Sequence, residues 1–173
     1  DSYPGDRMLV GEVNIRSTER VLQYYGAGDE LHLAFNFNPL DAPWDPVLFR
    51  TCIREVEHWL QPAGAWPTWV LSNHDVVRAA TRYALPNDTV AKEWLLDGDR
   101  DLIDEDAGLR RARAAALLML ALPGSAYLYQ GEELGLPEAY DLPVDVLDDP
   151  VWEDSGHTQK GRDGCRVPMP WTP

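Results

Sequence analysis

Residues 69–75 read Trp69-Val70-Leu71-Ser72-Asn73-His74-Asp75, an apolar strand pattern that ends in polar residues and a carboxylate. Residues 8–12 repeat the pattern as Met8-Leu9-Val10-Gly11-Glu12. A carboxylate at the C-terminal end of a parallel strand faces the edge of the sheet where α/β enzymes carry out their chemistry. Two such acids, Glu12 and Asp75, indicate catalysis by a pair of carboxylates and favour a glycosidic bond as the substrate.

Strand and helix patterns alternate along the chain. Strands that alternate with helices imply a parallel sheet with right-handed crossovers, and this set corresponds to half of an eight-stranded α/β barrel. Ser17 and the pair Asp45-Pro46 are typical helix starts. The acidic stretch at 97–106 and the segment from Gly131 onward are predicted as loops. The predicted strands are 8–13, 31–37, 68–72 and 126–129, and the predicted helices are 17–25, 45–60, 77–84 and 107–122.

The formal net charge of −14 argues against two classes of partner. Nucleic acids and anionic membrane surfaces both require basic patches, so neither is expected. The chain also lacks a run of about 18 apolar residues, as a membrane-spanning helix would need. Cys52 is predicted on the apolar face of a helix and Cys165 in a polar loop. We favour two free thiols in a reducing, cytoplasmic compartment, with a disulfide as the alternative.

Metal and cofactor sites are not predicted. None of the four histidines shows the His-x-x-x-His spacing of a zinc site. Residues 97–101 resemble the start of a calcium loop, but Leu102 and Gly108 stand where an EF-hand needs Gly and Glu. We therefore expect chemistry without a metal ion and without a cofactor.

Four motifs occur in a characteristic order. In this order and at these intervals they resemble the α-amylase superfamily of glycoside hydrolases, and within it the α-glucosidase and oligo-1,6-glucosidase branch. The resemblance extends over essentially the whole chain and implies a TIM-type (β/α)8 barrel that acts on α-glucosides with retention of configuration. The motifs are Gly11-Glu12-Val13, Ser72-Asn73-His74-Asp75-Val76-Val77-Arg78, Tyr129-Gln130-Gly131-Glu132-Glu133-Leu134-Gly135 and Arg162-Asp163-Gly164-Cys165-Arg166-Val167-Pro168-Met169-Pro170-Trp171.

The resemblance also implies roles for individual residues. Glu12 matches the general acid/base at the end of barrel strand five, and Asp75 matches the aspartate after strand seven that stabilises the transition state. His74 and Arg162 match residues that bind the sugar in subsite −1. These four residues are the first candidates for the active site.

Two further arginines, Arg166 and Arg78, match family positions as well. Substrate binding and a purely structural ion pair are equally open for each of them. The last motif departs from the family pattern at Val167, where threonine is usual, and this change is expected to affect only the packing of the loop.

A larger departure concerns the catalytic nucleophile, which the family places on an aspartate at the end of strand four. Only Asp1 and Asp6 precede Glu12, and neither lies in the corresponding motif. The chain is therefore predicted to represent strands five to eight of a longer enzyme. On this interpretation residues 1–173 form one partial catalytic domain, without the N-terminal half-barrel, the inserted domain and the C-terminal β-domain. Its expected partners are an α-glucoside substrate and the missing half of its own barrel.

Retaining hydrolysis of α-glucosidic bonds in short α-glucosides, by the full-length enzyme, is the leading hypothesis, and the isolated chain is expected to be inactive. A transglycosylating relative, such as a sucrose isomerase or trehalose synthase, would share all four motifs. A third hypothesis is a non-catalytic relative of the amino-acid transporter heavy chains. The presence of both Glu12 and Asp75 argues against it, since those proteins tend to lose the catalytic acids. A fragment without independent function is a further alternative.

Overall fold

The computed structural model describes residues 4–171 and divides the chain into two units. The first contains the residues up to Val70 together with Met119–Tyr127, and the second contains Leu71–Leu118 and the residues from Leu128 onward. The predicted α/β class is confirmed, because helices alternate with four strands that pair in parallel.

A parallel sheet forms the centre of the first unit. Trp69 lies opposite Asn36 on one side and Ala126 on the other, so all strands run in the same direction. Their C-terminal ends therefore meet one edge of the sheet. In sheet order, the strands are β1 (Val10–Gly11), β2 (Leu33–Asn36), β3 (Thr68–Val70) and β4 (Ser125–Tyr127).

The edge strand β1 is shorter and more exposed than the sequence pattern predicts. The pattern indicates a buried strand over residues 8–13, whereas only Val10–Gly11 are paired, and Met8 and Leu9 are each 59% exposed. The prediction of burial is wrong here because β1 has a neighbouring strand on one side only, so its side chains lack neighbours on the same face. The inner strand β3 has neighbours on both sides and is buried along its whole length.

Two helices of the first unit begin at the predicted caps. The helix α1, Thr18–Leu22, follows Ser17, whose side chain accepts a hydrogen bond from the backbone of the first turn. The helix α2, Pro46–Trp59, follows Asp45, whose Oδ1 accepts hydrogen bonds of 2.7 and 3.0 Å from two backbone N–H groups. Such bonds satisfy donors that a helix start otherwise leaves unpaired.

The second unit has a small apolar core beside long loops. It contains the helices α3 (Ala79–Arg82), α4 (Ala91–Asp97) and α6 (Val151–Asp154). It also contains the helix α5 (Glu105–Ala121) as far as Leu118. The apolar cluster consists of Val77, Leu85, Trp94 and Leu95.

The helix α4 is missing from the sequence prediction, which contains no helix between residues 84 and 107. Its N-terminus after Val90 has no side-chain cap hydrogen bond, so the usual start signal is absent. Burial of Trp94 and Leu95 stabilises it instead.

The long loop predicted from Gly131 onward is confirmed as far as residue 171, where the described part of the chain ends, because only α6 and two short 3-10 turns occur in that range. Cys52 and Cys165 are free thiols, as expected, and Cys165 is buried within its loop. Among residues 4–171, no helix is both long enough and apolar enough to cross a membrane. The 3-10 turns are Gln23–Tyr25, Asn38–Leu40, Arg100–Leu102, Val144–Val146 and Asp163–Cys165.

Candidate active site

Asp75 lies in the second unit, in the loop that follows β3 in the chain. Its backbone N donates to the side-chain Oδ1 of Asn73 at 2.9 Å, which forms a tight local turn. The Asp75 side chain is 38% exposed, so its carboxylate is accessible to a ligand.

Two arginines from the 162–166 segment hold the Asp75 carboxylate. Arg162 Nη1 and Arg166 Nη2 both donate to Oδ1 of Asp75, at 2.9 and 3.1 Å. Arg166 Nε also donates to the backbone oxygen of His74 at 2.9 Å. Nε2 of His74 lies 3.4 Å from Oδ2 of Asp75. Four of the six predicted site residues are thus brought together in one cluster around Asp75.

Asp149, which the sequence analysis did not select, binds the edge of the Arg162 guanidinium that does not contact Asp75. Arg162 Nε and Nη2 donate to its two carboxylate oxygens at 2.6 and 3.0 Å. These bonds hold the pKa of the Asp149 carboxyl well below its usual range and raise the pKa of Arg162. A signal was present, since Asp149 and Pro150 repeat the dipeptide that caps α2, but the dipeptide alone does not predict an arginine partner.

Arg78 lies in the interior of the second unit and is only 2% exposed. Its guanidinium donates to the backbone oxygens of Gln130 at 2.7 Å and Cys165 at 2.8 Å, and it lies over the ring of Tyr129. These contacts join the segment after β3 to the loop that carries Arg162 and Arg166.

Glu138 is a second buried acidic residue that the sequence analysis did not select. It is 3% exposed, and its Oε2 accepts a hydrogen bond of 2.9 Å from the backbone N of Arg78. Burial raises the pKa of the Glu138 carboxyl to about 7, against the opposing effect of that bond and of the charges of Arg78 and Arg82. Nothing local in the sequence distinguishes Glu138 from its exposed neighbour Glu133.

Glu12 belongs to the other unit. It directly follows β1 at the C-terminal end of a parallel strand, as predicted, and it is exposed. The structure therefore groups His74, Asp75, Arg162 and Arg166 around one carboxylate in the second unit. It places Arg78 in the interior of the same unit and Glu12 in the first unit.

The arrangement around Asp75 has a clear chemical capacity. An accessible carboxylate can stabilise positive charge that develops on a sugar ring. The guanidinium and imidazole groups beside it supply hydrogen-bond donors, and hydroxyl groups of a sugar can accept them. The site thus combines one fixed negative charge with several donors.

All 173 residues match the family model described as the α-amylase catalytic domain. The chain belongs to the α-amylase catalytic domain family. This confirms the resemblance that the four motifs indicated, and with it membership of a TIM-barrel family.

Individual relatives agree with this assignment. A probable α-glucosidase of Rhizobium meliloti (strain 1021) is 38% identical over 175 residues, and Maltase A1 of Drosophila melanogaster is 27% identical over 173 residues. The alignments cover 99% and 96% of this chain but only 28% and 26% of the relatives. Among solved structures, the crystal structure of the α-glucosyl transfer enzyme XgtA superposes on this chain with a TM-score of 0.72, and the two sequences are 36% identical. The match covers 99% of this chain and 28% of the XgtA chain. The chain therefore spans about a quarter of the length of these proteins.

Proposed function

We propose that this chain is part of an enzyme that hydrolyses α-glucosidic bonds in short α-glucosides with retention of configuration. The observation that carries the proposal is the Asp75 carboxylate, held by Arg162 and Arg166 and accessible to a ligand, in a chain of the α-amylase family. The names of two relatives, a probable α-glucosidase and a maltase, support the substrate class.

In the proposed mechanism Glu12 is the general acid/base. It protonates the glycosidic oxygen as a nucleophile from outside this chain forms the glycosyl intermediate, and it then removes a proton from the water that hydrolyses the intermediate. Asp75 stabilises the positive charge of the oxocarbenium-like transition state. His74 and Arg162 bind hydroxyl groups of the reacting sugar. For Arg166 we propose a double role, since it contacts both Asp75 and the backbone of His74.

Arg78 fits the structural alternative better than the substrate-binding one. Its buried guanidinium contacts two backbone oxygens rather than an accessible surface. We therefore assign it the task of holding the segment around Cys165, which lies between Arg162 and Arg166 in the sequence.

We also propose that the chain supplies strands five to eight of the barrel, as one partial domain without its N-terminal half, inserted domain and C-terminal β-domain. The sequential parallel order of β1 to β4 supports this assignment. The exposure of Met8 and Leu9 beside the edge strand β1 does so too, because a closed barrel would provide further strands there. The barrel half that carries the nucleophile would then be the principal partner of this chain.

The test is Glu12→Gln in the full-length enzyme. We expect kcat/KM for maltose to fall by about 10²–10⁴-fold, because the leaving oxygen loses its proton donor. Formation of the glycosyl intermediate from α-glucosyl fluoride, whose leaving group needs little acid assistance, should fall much less. Glu19→Gln, at an exposed glutamate of α1, is the matched control. An equal loss on both substrates would contradict the acid/base role.

Transfer of the glucosyl group to an acceptor other than water is the second candidate function. The similarity to the α-glucosyl transfer enzyme XgtA favours it. The two reactions share the glycosyl intermediate and differ only in the acceptor. Product analysis with maltose, isomaltose and sucrose separates them, since hydrolysis yields free monosaccharides and transfer yields new glucosides.

A further inference from the structure

Asp149 forms more hydrogen bonds with Arg162 than a simple ion pair does. Its side chain is 0% exposed, and it accepts three hydrogen bonds from Arg162: from the backbone N at 2.8 Å, from Nε at 2.6 Å and from Nη2 at 3.0 Å. Paired N–H···O bonds of this kind fix the orientation of a guanidinium as well as its position. The contact therefore determines where the remaining N–H groups of Arg162 point.

Asp149 is itself held independently of Arg162. Its Oδ1 accepts a bond of 3.1 Å from the backbone N of Val151, and its own backbone N donates to Asp163 Oδ2 at 3.1 Å. The following proline restricts the backbone further. The carboxylate is thus fixed by its loop, while the long side chain of Arg162 would otherwise be free to rotate.

We infer that Asp149 is a positioning residue, which orients the Arg162 guanidinium so that it contacts Asp75 and presents its free N–H groups to the sugar. This inference rests on the proposed function. A guanidinium has five N–H groups. Asp149 occupies the one on Nε and one on Nη2, and Asp75 occupies one on Nη1, so Nη1 and Nη2 each keep one for a ligand. The Arg162 side chain is 35% exposed, which leaves room for that ligand.

Asp45 offers a matched control for Asp149. It also precedes a proline, and its side chain also accepts hydrogen bonds from the backbone that follows it. Among residues 4–171, no arginine binds the side chain of Asp45. Replacing each aspartate by asparagine therefore changes the same dipeptide, but only one replacement affects an arginine of the site.

The test is a double-mutant cycle in the full-length enzyme with Asp149→Asn, Arg162→Ala and the double variant. Asp149→Asn should lower kcat/KM for an α-glucoside by roughly 10–100-fold, as misplacement of a substrate-binding group does. In the Arg162→Ala background it should have no further effect, because the group that it positions is gone. Asp45→Asn should leave kcat/KM unchanged.

The outcomes separate the two proposals. An active wild-type enzyme with additive losses in the cycle would overturn the positioning role alone. A wild-type enzyme that neither hydrolyses nor transfers α-glucosides would remove the proposed function and this inference together. If Asp149→Asn does not fold, Arg162→Lys decides, because lysine keeps the charge but cannot form the paired bonds. It should show a similar 10–100-fold loss, and wild-type kcat/KM in this variant would contradict the inference.

Discussion

The interiors of the two units, each taken by itself, are stabilised by different interactions. In the first unit the inner strand β3 is buried, with Thr68, Trp69 and Val70 at most 4% exposed, and apolar residues of the helices complete the core. In the second unit the buried residues include Arg78 and Glu138, each bonded to a distant part of the sequence. Apolar burial tolerates moderate change in shape, whereas a buried polar or charged group depends on its hydrogen-bond partners. Apart from Glu12, we therefore expect substitutions in the first unit to lower mainly stability, and substitutions among the exposed polar groups around Asp75 to lower activity.

The largest effect is expected when residues 1–173 are produced alone. If the chain supplies half of the barrel, as proposed, the edge strands β1 and β4 remain unpaired on one side and the nucleophile lies outside this chain, so turnover of p-nitrophenyl α-glucoside should be absent. Near-UV circular dichroism and thermal melting measure folding separately. A cooperative melt with turnover above that of buffer would contradict the assignment of the chain to half a barrel.

Asp75→Asn in the full-length enzyme should lower kcat for α-glucosides by about 10²–10³-fold, because the charge that stabilises the transition state is lost. The matched control is Asp41→Asn, since Asp41 also pairs with an exposed arginine, Arg16, but in the first unit. Steady-state kinetics on maltose should show no change for the control. A similar loss in both variants would show that the loss in Asp75→Asn does not come from a specific role of Asp75.

The features that the sequence predicts correctly are mostly local features of the first unit, whereas the contacts of the second unit join residues that are far apart in the sequence. The alternation of strands with helices and the caps at Ser17 and Asp45 depend on patterns within a few residues, and the structure confirms them. The pairing of Arg162 with Asp75 spans 87 residues, and the contact of Glu138 with Arg78 spans 60. No local pattern predicts such contacts. The strand-end pattern selected Asp75, whereas Arg162 could be chosen only through a family motif.

Local sequence patterns also did not predict which apolar residues are exposed to solvent. The apolar residues of the 8–13 segment indicate burial, but burial depends on neighbouring strands that the segment does not specify. The helix α4 lacks a cap and is stabilised by packing of Trp94 and Leu95, which only the tertiary structure shows.

Glu138→Gln should change how stability depends on pH. The pKa of about 7 in the folded state lies above the 4.5 of an ordinary glutamate, so between these values the folded chain binds a proton that the unfolded chain has released. Stability therefore falls as pH rises through this window, by on the order of 3 kcal/mol in total. Glutamine does not titrate, so the variant should lose this part of the dependence.

Urea unfolding of the full-length enzyme between about pH 5 and pH 8 measures the effect of Glu138→Gln. The free energy of unfolding should fall less steeply with pH in the variant than in the wild type. Glu133→Gln, at an exposed position of the same loop, should keep the wild-type slope. Equal slopes for wild type and Glu138→Gln would indicate that the Glu138 carboxylate is compensated by Arg78 and Arg82 in full.

The smallest effect is expected for Asp45→Ala in the first unit. The variant loses the two hydrogen bonds that cap α2, which should lower the free energy of unfolding by about 1 kcal/mol. The urea midpoint should fall with an unchanged slope, and kcat/KM for maltose should stay at the wild-type value, because α2 contributes no proposed site residue. Asp45→Asn, which can still accept a bond from the first turn, should restore most of the midpoint. A loss of kcat/KM in Asp45→Ala at a temperature where the protein remains folded would contradict the expectation that this cap contributes to stability alone.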